Sequence, residues 1–237
     1  MKAVILAGGR GTRLAPYTTI FPKPLVPIGD RPVLEIIIRQ LVSQGIGDIW
    51  LSVGYLGELI EAYFQNGHRN IPGLNLRYMR ESRPLGTAGP LARIPGLDET
   101  FLVMNGDVLT TLDYLAMRAH HLASGAALTI AMRRKDVRID LGVLETNNRN
   151  ELVAYREKPL YSFACSMGVY LYEPCVLRYI HADEALDFPD LVLRLLHCGE
   201  KVVGYPSDDF WFDIGCREDY ELAQQEFQNR AAAFPLG

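Results

Sequence analysis

Met1-Lys2-Ala3-Val4-Ile5-Leu6-Ala7-Gly8-Gly9-Arg10-Gly11-Thr12-Arg13-Leu14 opens the chain with an apolar run, Met1 to Leu6, that breaks into glycine. The run reads as a buried strand, and the glycines as a tight turn at its carboxyl end. Glycine lets backbone N–H groups come within hydrogen-bonding distance of phosphate oxygens, where a Cβ would intrude. Arg13 and, further on, Lys23 in Phe21-Pro22-Lys23-Pro24-Leu25 then stand ready to neutralise those oxygens. Two familiar phosphate loops do not fit. The P-loop requires G-x-x-x-x-G-K-[ST], and no Lys-Ser or Lys-Thr follows these glycines. The dinucleotide fingerprint G-x-G-x-x-G begins at Gly9 and Gly11 but meets Leu14 where its third glycine belongs. Pro16 further opposes a helix that runs on from the turn, so Arg10 to Pro27 reads as an extended, proline-stiffened loop of a third kind.

Working outward, the chain has 237 residues, enough for one large α/β domain with a substantial core. Hydrophobic residues make up 49% and charged residues 22%, an ordinary soluble balance. The net charge of −4 gives no general attraction to nucleic acid or to an anionic membrane, so any phosphate affinity must be local. No apolar stretch approaches the roughly 20 residues of a membrane span. No signal-peptide pattern precedes the first strand. The four cysteines, Cys165, Cys175, Cys198 and Cys216, form no C-x-x-C pair and read as isolated reduced thiols of a cytoplasmic protein.

Periodicity predicts helices over Val33–Ser43, Leu56–Gln65 (closed by Asn66-Gly67), Leu112–Ala123, Cys175–Ile180, Asp190–His197 and Arg217–Arg230. It predicts strands over Ile49–Val53, Leu74–Met79, Phe101–Met104 and Ala127–Met132. After Arg133 come shorter strands among polar turns, over Leu141–Leu144, Leu152–Arg156, Met167–Tyr172 and Val202–Tyr205. The alternation predicts an α/β fold with a doubly wound, mostly parallel sheet. The expected division is a nucleotide half over about residues 1–133 and a smaller sugar half over about 134–237, in one domain.

Residues Leu6 to Ile28 match L-A-G-G-x-G-T-R-L-x-P-x-T-x-x-x-P-K-P-L-x-P-I at every defined position. Glu81 with Pro84-Leu85-Gly86-Thr87-Ala88-Gly89, then Asn105-Gly106-Asp107, Glu157-Lys158-Pro159 and Trp211-Phe212-Asp213-Ile214-Gly215 follow in order. The chain thereby resembles the sugar-1-phosphate nucleotidyltransferases, and its P-L-G-T-A-G-P-L loop resembles the mannose-1-phosphate guanylyltransferases. The resemblance implies a Rossmann-like fold, a nucleoside triphosphate and a sugar 1-phosphate as partners, and Mg²⁺ as cofactor. Many relatives add a C-terminal β-helix, which is not expected within these 237 residues. A homo-oligomer stays open by analogy.

Residue by residue, the resemblance implies that Leu6, Ala7, Gly8, Gly9, Gly11 and Thr12 hold the nucleotide with Arg13 and Lys23 as phosphate clamps. Glu81, Gly86, Thr87 and Ala88 would line the base pocket, and Asp107 and Asp213 would carry the metal. Gly142, Glu157, Lys158 and Ser166 would face the sugar phosphate. Read one at a time, these residues also fit solvated loop cations, turn carboxylates, a surface ion pair and a strand glycine. The implied reaction needs no general base, because a phosphate monoester is already ionised; positioning and charge neutralisation carry it. The five histidines, His68, His120, His121, His181 and His197, lie outside every motif and are expected at the surface or at helix ends.

One departure stands out. The family pattern Asn-Ala-Gly-x-Tyr is here Ser166-Met167-Gly168-Val169-Tyr170. Serine lacks the amide's paired donor and acceptor, which points to an acceptor altered at one hydroxyl, a heptose, or a cyclitol phosphate. Guanine is the favoured base. Uridylyl-, cytidylyl- or thymidylyltransfer, a catalytically silent nucleotide-sugar binder, and transfer to a non-sugar phosphate remain alternatives.

Overall fold

The computed structural model describes residues 1–14, 16–65 and 71–235, so the expected helix stop at Asn66-Gly67 and the position of His68 lie outside it. In chain order the elements are β1 (Ala3–Ala7), β2 (Pro27–Ile28), β3 (Arg31–Pro32), α1 (Val33–Ser43), β4 (Asp48–Val53), α2 (Gly57–Gln65), β5 (Asn75–Arg80), β6 (Phe101–Asn105) and β7 (Val108–Thr110). Then follow α3 (Tyr114–Ser124), β8 (Leu128–Arg138), β9 (Val143–Thr146), β10 (Leu152–Arg156), β11 (Leu160–Tyr172), α4 (Phe188–His197), β12 (Val202–Pro206), β13 (Trp211–Asp213) and α5 (Arg217–Arg230).

Seven strands form the central sheet in the order β12-β8-β11-β6-β1-β4-β5. All neighbours run parallel except β11, which is antiparallel to both β6 and β8. β1 lies near the middle, and its Ala3, Val4 and Ile5 are fully buried, as the unbroken apolar run requires of a strand covered on both faces. Ile5 points into a core with α1, α2 and α5. Val4 points to the opposite face, into a core with α4 and the segment Pro174–Tyr179. Helices on both faces make the fold doubly wound.

Helix boundaries follow local chemistry. Asp113 caps α3 by accepting from the Leu115 and Ala116 N–H groups (3.0 and 2.8 Å), and Gly125 ends it in a left-handed conformation. In α1 the polar Glu35 is fully buried, because Arg31 and Arg39 both reach its Oε1 at 2.7 Å.

Several expectations are corrected. Cys175–Ile180 is a 3₁₀ segment spanning Pro174–Tyr179. The loop after the first glycines is not extended throughout but folds into 3₁₀ turns at Thr12–Leu14, Tyr17–Thr19 and Lys23–Leu25. β8 runs on to Arg138 and β11 begins at Leu160. Their far ends pair with each other and stand clear of the core with the β9–β10 hairpin, leaving Leu141, Leu144, Leu152, Val153, Tyr155 and Phe163 exposed. The outer half of β8, Arg133 to Arg138, carries charges on both faces and so no inside–outside alternation, which is why the predicted strand stops at Met132.

His121 does lie in the last turn of α3 but not at the surface: it is fully buried, with Nδ1 2.7 Å from Thr129 Oγ1 and Nε2 3.0 Å from Glu173 Oε1. Burial lowers its pKa, Glu173 pulls the other way, and His120 and Arg118 add to the lowering. A histidine depressed in the fold favours the neutral ring, so its contribution is full above the unfolded value of about 6.5 and is lost as pH falls through the folded one. Urea midpoints should therefore drop between pH 7.5 and 5.5, and His121→Gln, which cannot titrate, should flatten that drop. Equal pH slopes for the two proteins would refute this account.

Candidate active site

A cleft of about 520 Å³ opens at the carboxyl ends of β1, β4 and β6, the place where open α/β sheets bind ligands. Its walls are Leu6 to Arg10, Lys23-Pro24, Gly54-Tyr55, Glu81 to Pro84, Gly86-Thr87 and Asn105 to Asp107. Of the residues expected to bind nucleotide, Leu6, Ala7, Gly8, Gly9, Glu81, Gly86 and Thr87 line it. Gly11 and Thr12 lie on the turn beyond, and Ala88 is buried in the core.

Glu81 ties the cleft together. Its Oε1 accepts from Ser52 Oγ at 2.8 Å and its Oε2 from the Leu85 N–H at 2.9 Å. A Cβ at Gly8 would sit 2.8 Å from that Oε1, so the carboxylate keeps this place only because residue 8 is glycine. At Gly9 the same construction meets no protein atom within 4 Å, leaving its surface free for a ligand.

Asp107 and Asp213 are brought together by a short antiparallel ladder in which β13 pairs with β7, Asp213 opposite Val108. The Ile214 N–H closes the arrangement onto the Asp107 carbonyl at 3.1 Å. Lys23 Nζ forms an ion pair with Asp107 Oδ2. Arg13 Nη1, Asp213 Oδ2 and Asp219 Oδ2 gather around Gly215, each within 3.6 Å of the point its Cβ would occupy. Burial first, then the Asp107 charge, raises the Asp213 pKa, with Lys23 and Arg13 opposing.

Asp107 Oδ1 is buried without a hydrogen-bond partner. A buried orphan oxygen beside a second carboxylate whose charge is disfavoured is a donor set that fits a hard divalent cation. Among the described residues no group of three or more His, Cys, Asp or Glu could hold a metal. Such an ion would therefore complete its shell from substrate oxygens and water.

The arm carries the remaining candidates. Glu157 and Lys158 are exposed at its β10–β11 turn, with Glu157 Oε2 accepting from the Tyr155 hydroxyl at 2.6 Å and Lys158 at φ 43°. The Tyr155 ring lies against Gly142, where a Cβ would meet its hydroxyl oxygen at 2.3 Å. None of these three residues lines the cleft. Ser166 stands at a bulge of β11 nearer the carboxylates, and donates to the Tyr170 hydroxyl at 3.3 Å.

A family profile described as nucleotidyl transferase matches residues 2–230. The chain belongs to this family of sugar-1-phosphate nucleotidyltransferases. It is 33% identical over 232 residues to the D-glycero-alpha-D-manno-heptose 1-phosphate guanylyltransferase of Aneurinibacillus thermoaerophilus, covering 97% of this chain and 99% of that protein. It is 35% identical to the UTP–glucose-1-phosphate uridylyltransferase of Synechocystis, covering 93% of this chain but only 61% of that protein. It is 32% identical to the mannose-1-phosphate guanylyltransferase of Mycobacterium tuberculosis, covering 99% of this chain and 67% of that one. Among solved structures, HddC from Yersinia pseudotuberculosis complexed with GMP-PN superposes with a TM-score of 0.73 at 26% identity, over 95% of this chain and 99% of that one.

Two residues of this nucleotidyltransferase escaped the sequence reading. Asp187 occupies the N-cap position of α4 yet makes no capping bond. Its Oδ1 instead accepts from the Thr87 N–H at 3.0 Å, and Thr87 Oγ1 accepts from the Phe188 N–H at 2.7 Å. Tyr170, buried on β11, has its pKa raised by burial and by the nearby Asp107 and Asp213 charges. An Asp before Phe-Pro was a legible helix-start signal, but its partner lies 100 residues away.

Gly86 adopts φ 77°, and a Cβ there would lie 2.5 Å from the Leu186 carbonyl oxygen. Gly86→Ala should cost at least about 1–2 kcal/mol in backbone strain alone, lowering the thermal midpoint. Gly9→Ala should leave that midpoint unchanged while weakening nucleotide binding at least tenfold by calorimetry. Equal loss of stability in the two variants would contradict the geometry.

Proposed function

We propose that the protein transfers a nucleoside monophosphate from a nucleoside triphosphate to a sugar 1-phosphate with release of pyrophosphate, using GTP and a mannose- or heptose-like 1-phosphate. The observation that carries the reaction is the Asp107–Asp213 pair, flanked by Lys23 and Arg13, beside the glycine-lined cleft.

Attack of a sugar-phosphate oxygen on the α-phosphorus brings two polyanions together. The groups needed are donors and cations where charge builds up, rather than a base. Backbone N–H groups of the Gly8–Gly11 turn would receive phosphate oxygens, with Arg13 and Lys23 neutralising the pyrophosphate as it leaves. Asp107 and Asp213 would hold Mg²⁺, which supplies charge screening between the α-phosphate and the incoming phosphate. Glu157 and Lys158 on the arm would take sugar hydroxyls and the sugar phosphate.

Glu81 supports guanine. Each of its oxygens already accepts one bond within the protein, and a carboxylate has about four lone-pair sites, so acceptor capacity remains. Guanine offers adjacent ring N–H and amino donors to such a group. Uracil and thymine flank their single N–H with carbonyls, which the carboxylate repels. The match to a guanylyltransferase along nearly the full length of both chains supports the same choice.

The test is pyrophosphate release with Mg²⁺, each of GTP, UTP, CTP, dTTP and ATP, and a panel of sugar 1-phosphates. GTP should lead, and Lys23→Met should lower kcat by about 10²–10³, the range for losing one transition-state donor. Release with another base would refute the guanine reading. Silence with a nucleotide sugar still bound in calorimetry would favour the non-catalytic alternative. Ser166→Asn, which restores the family amide, should reorder the sugar ranking; an unchanged order would mean Ser166 does not select the acceptor.

A further inference from the structure

The nucleotide wall of the cleft and the β11 bulge bearing Ser166 are both fastened to one short strap, Asp183 to Phe188. On the nucleotide side, the Leu186 N–H donates to the Leu85 carbonyl at 2.9 Å. The Leu186 carbonyl receives the N–H groups of Ala88 and Gly89 at 2.9 and 3.0 Å. Asp187 holds the Thr87 N–H, and the Thr87 hydroxyl oxygen receives the Phe188 N–H. Arg83, which lines the cleft, donates to the Asp183 carbonyl at 2.7 Å.

On the other side, the Phe188 ring stacks on Tyr170 with centroids 3.8 Å apart and planes at 26°. The Tyr170 hydroxyl in turn receives Ser166 Oγ at the β11 bulge. Within two adjacent residues, then, the backbone is pinned to the Gly86–Thr87 loop, and an aromatic ring is laid on Tyr170, which meets Ser166 and feels the Asp107 and Asp213 charges.

We propose that Asp187 and Phe188 are positioning residues that couple the two subsites, so that a nucleotide seated against Gly86 and Thr87 fixes the strap and, through the Phe188–Tyr170 stack, pre-forms the acceptor wall. This rests on the functional reading given above. The coupling is reciprocal: the nucleotide tightens the acceptor by the factor by which the acceptor tightens the nucleotide. A stack between a half-buried and a buried ring is well suited to transmit it, because packed rings shift between discrete arrangements rather than deform gradually.

The experiment measures acceptor binding by calorimetry with and without α,β-methylene GTP, which cannot lose pyrophosphate. The acceptor is the sugar 1-phosphate that releases most pyrophosphate in the panel, mannose 1-phosphate being the first tried. The wild-type acceptor should bind about 5-fold or more tightly with the analogue present. Phe188→Leu should bring that ratio to about 1 while leaving the affinity for the analogue alone within about 3-fold. Asp187→Ala should also abolish the ratio, and Asp187→Asn, whose amide oxygen still accepts from the Thr87 N–H, should retain it. Should Asp187→Ala not fold, Phe188→Leu carries the test by itself.

A ratio near 1 in the wild type, or a wild-type ratio in Phe188→Leu, overturns the proposal. So does an equal weakening of both ligands, which marks a merely structural role. If neither probe binds the wild-type protein at all, the functional reading itself fails and the coupling falls with it.

Discussion

The ladder between β7 and β13 is the contact on which the rest of the site depends. It is only three residue pairs long, yet it sets Asp213 beside the residue that follows Asp107. Holding two carboxylates together in a partly buried place costs desolvation first and mutual repulsion second, and both raise the Asp213 pKa. The neighbouring elements are arranged around that cost. Lys23 arrives on the proline-bounded loop to pair with Asp107, and Arg13 on the preceding 3₁₀ turn comes close to Asp213. Trp211, on the same short strand, donates its indole N–H to the Met167 carbonyl at 2.6 Å and so ties the β11 bulge to the carboxylates.

Much of this is visible in the residues alone, and the pattern of what is not has physical causes. Helices α1 and α5 begin and end where their apolar spacing and flanking residues place them, and β1 lies where an unbroken apolar run must lie. The glycines around residue 8, Lys23 and Asp107 do meet in one cleft. By contrast, β7 and β13 are too short for any periodicity to register, and their pairing joins segments about a hundred residues apart. The outer half of β8, Arg133 to Arg138, is charged on both faces, so nothing in its alternation separates strand from turn, and the outer half of β11 pairs with it away from the core. His121 reads as a surface or helix-end residue because it lies outside every motif and beside His120; its burial depends on Thr129 and Glu173, which meet it only in the folded chain.

Ser166 illustrates how a departure from a family pattern is absorbed locally. At the bulge, Gly168 adopts φ 72° with Asn105 Nδ2 2.8 Å from where its Cβ would be, so this backbone cannot shift without disturbing the β6 end of the cleft. Ser166 Oγ accepts the Gly168 N–H at 3.2 Å and donates to Tyr170. A serine hydroxyl offers one donor and two acceptor lone pairs, and with this pairing its donor is spent within the protein. Facing an acceptor sugar, as proposed, it would offer a lone pair, where an amide would offer both polarities. That is a narrower recognition chemistry, set by the bulge as much as by the residue type.

A protein of net charge −4 that must bring two polyanions together cannot rely on a general field. Its positive charge is instead placed at named points: Lys23 paired with Asp107, Arg13 near Asp213 and Asp219, and Arg83 on the cleft wall. Cations shared with carboxylates attract a phosphate less strongly than bare ones, because part of their field is already cancelled. In the proposed reaction that would favour moderate ground-state binding, with the strongest interactions awaiting the charge that develops at the leaving pyrophosphate, the condition under which binding energy raises turnover rather than merely occupancy.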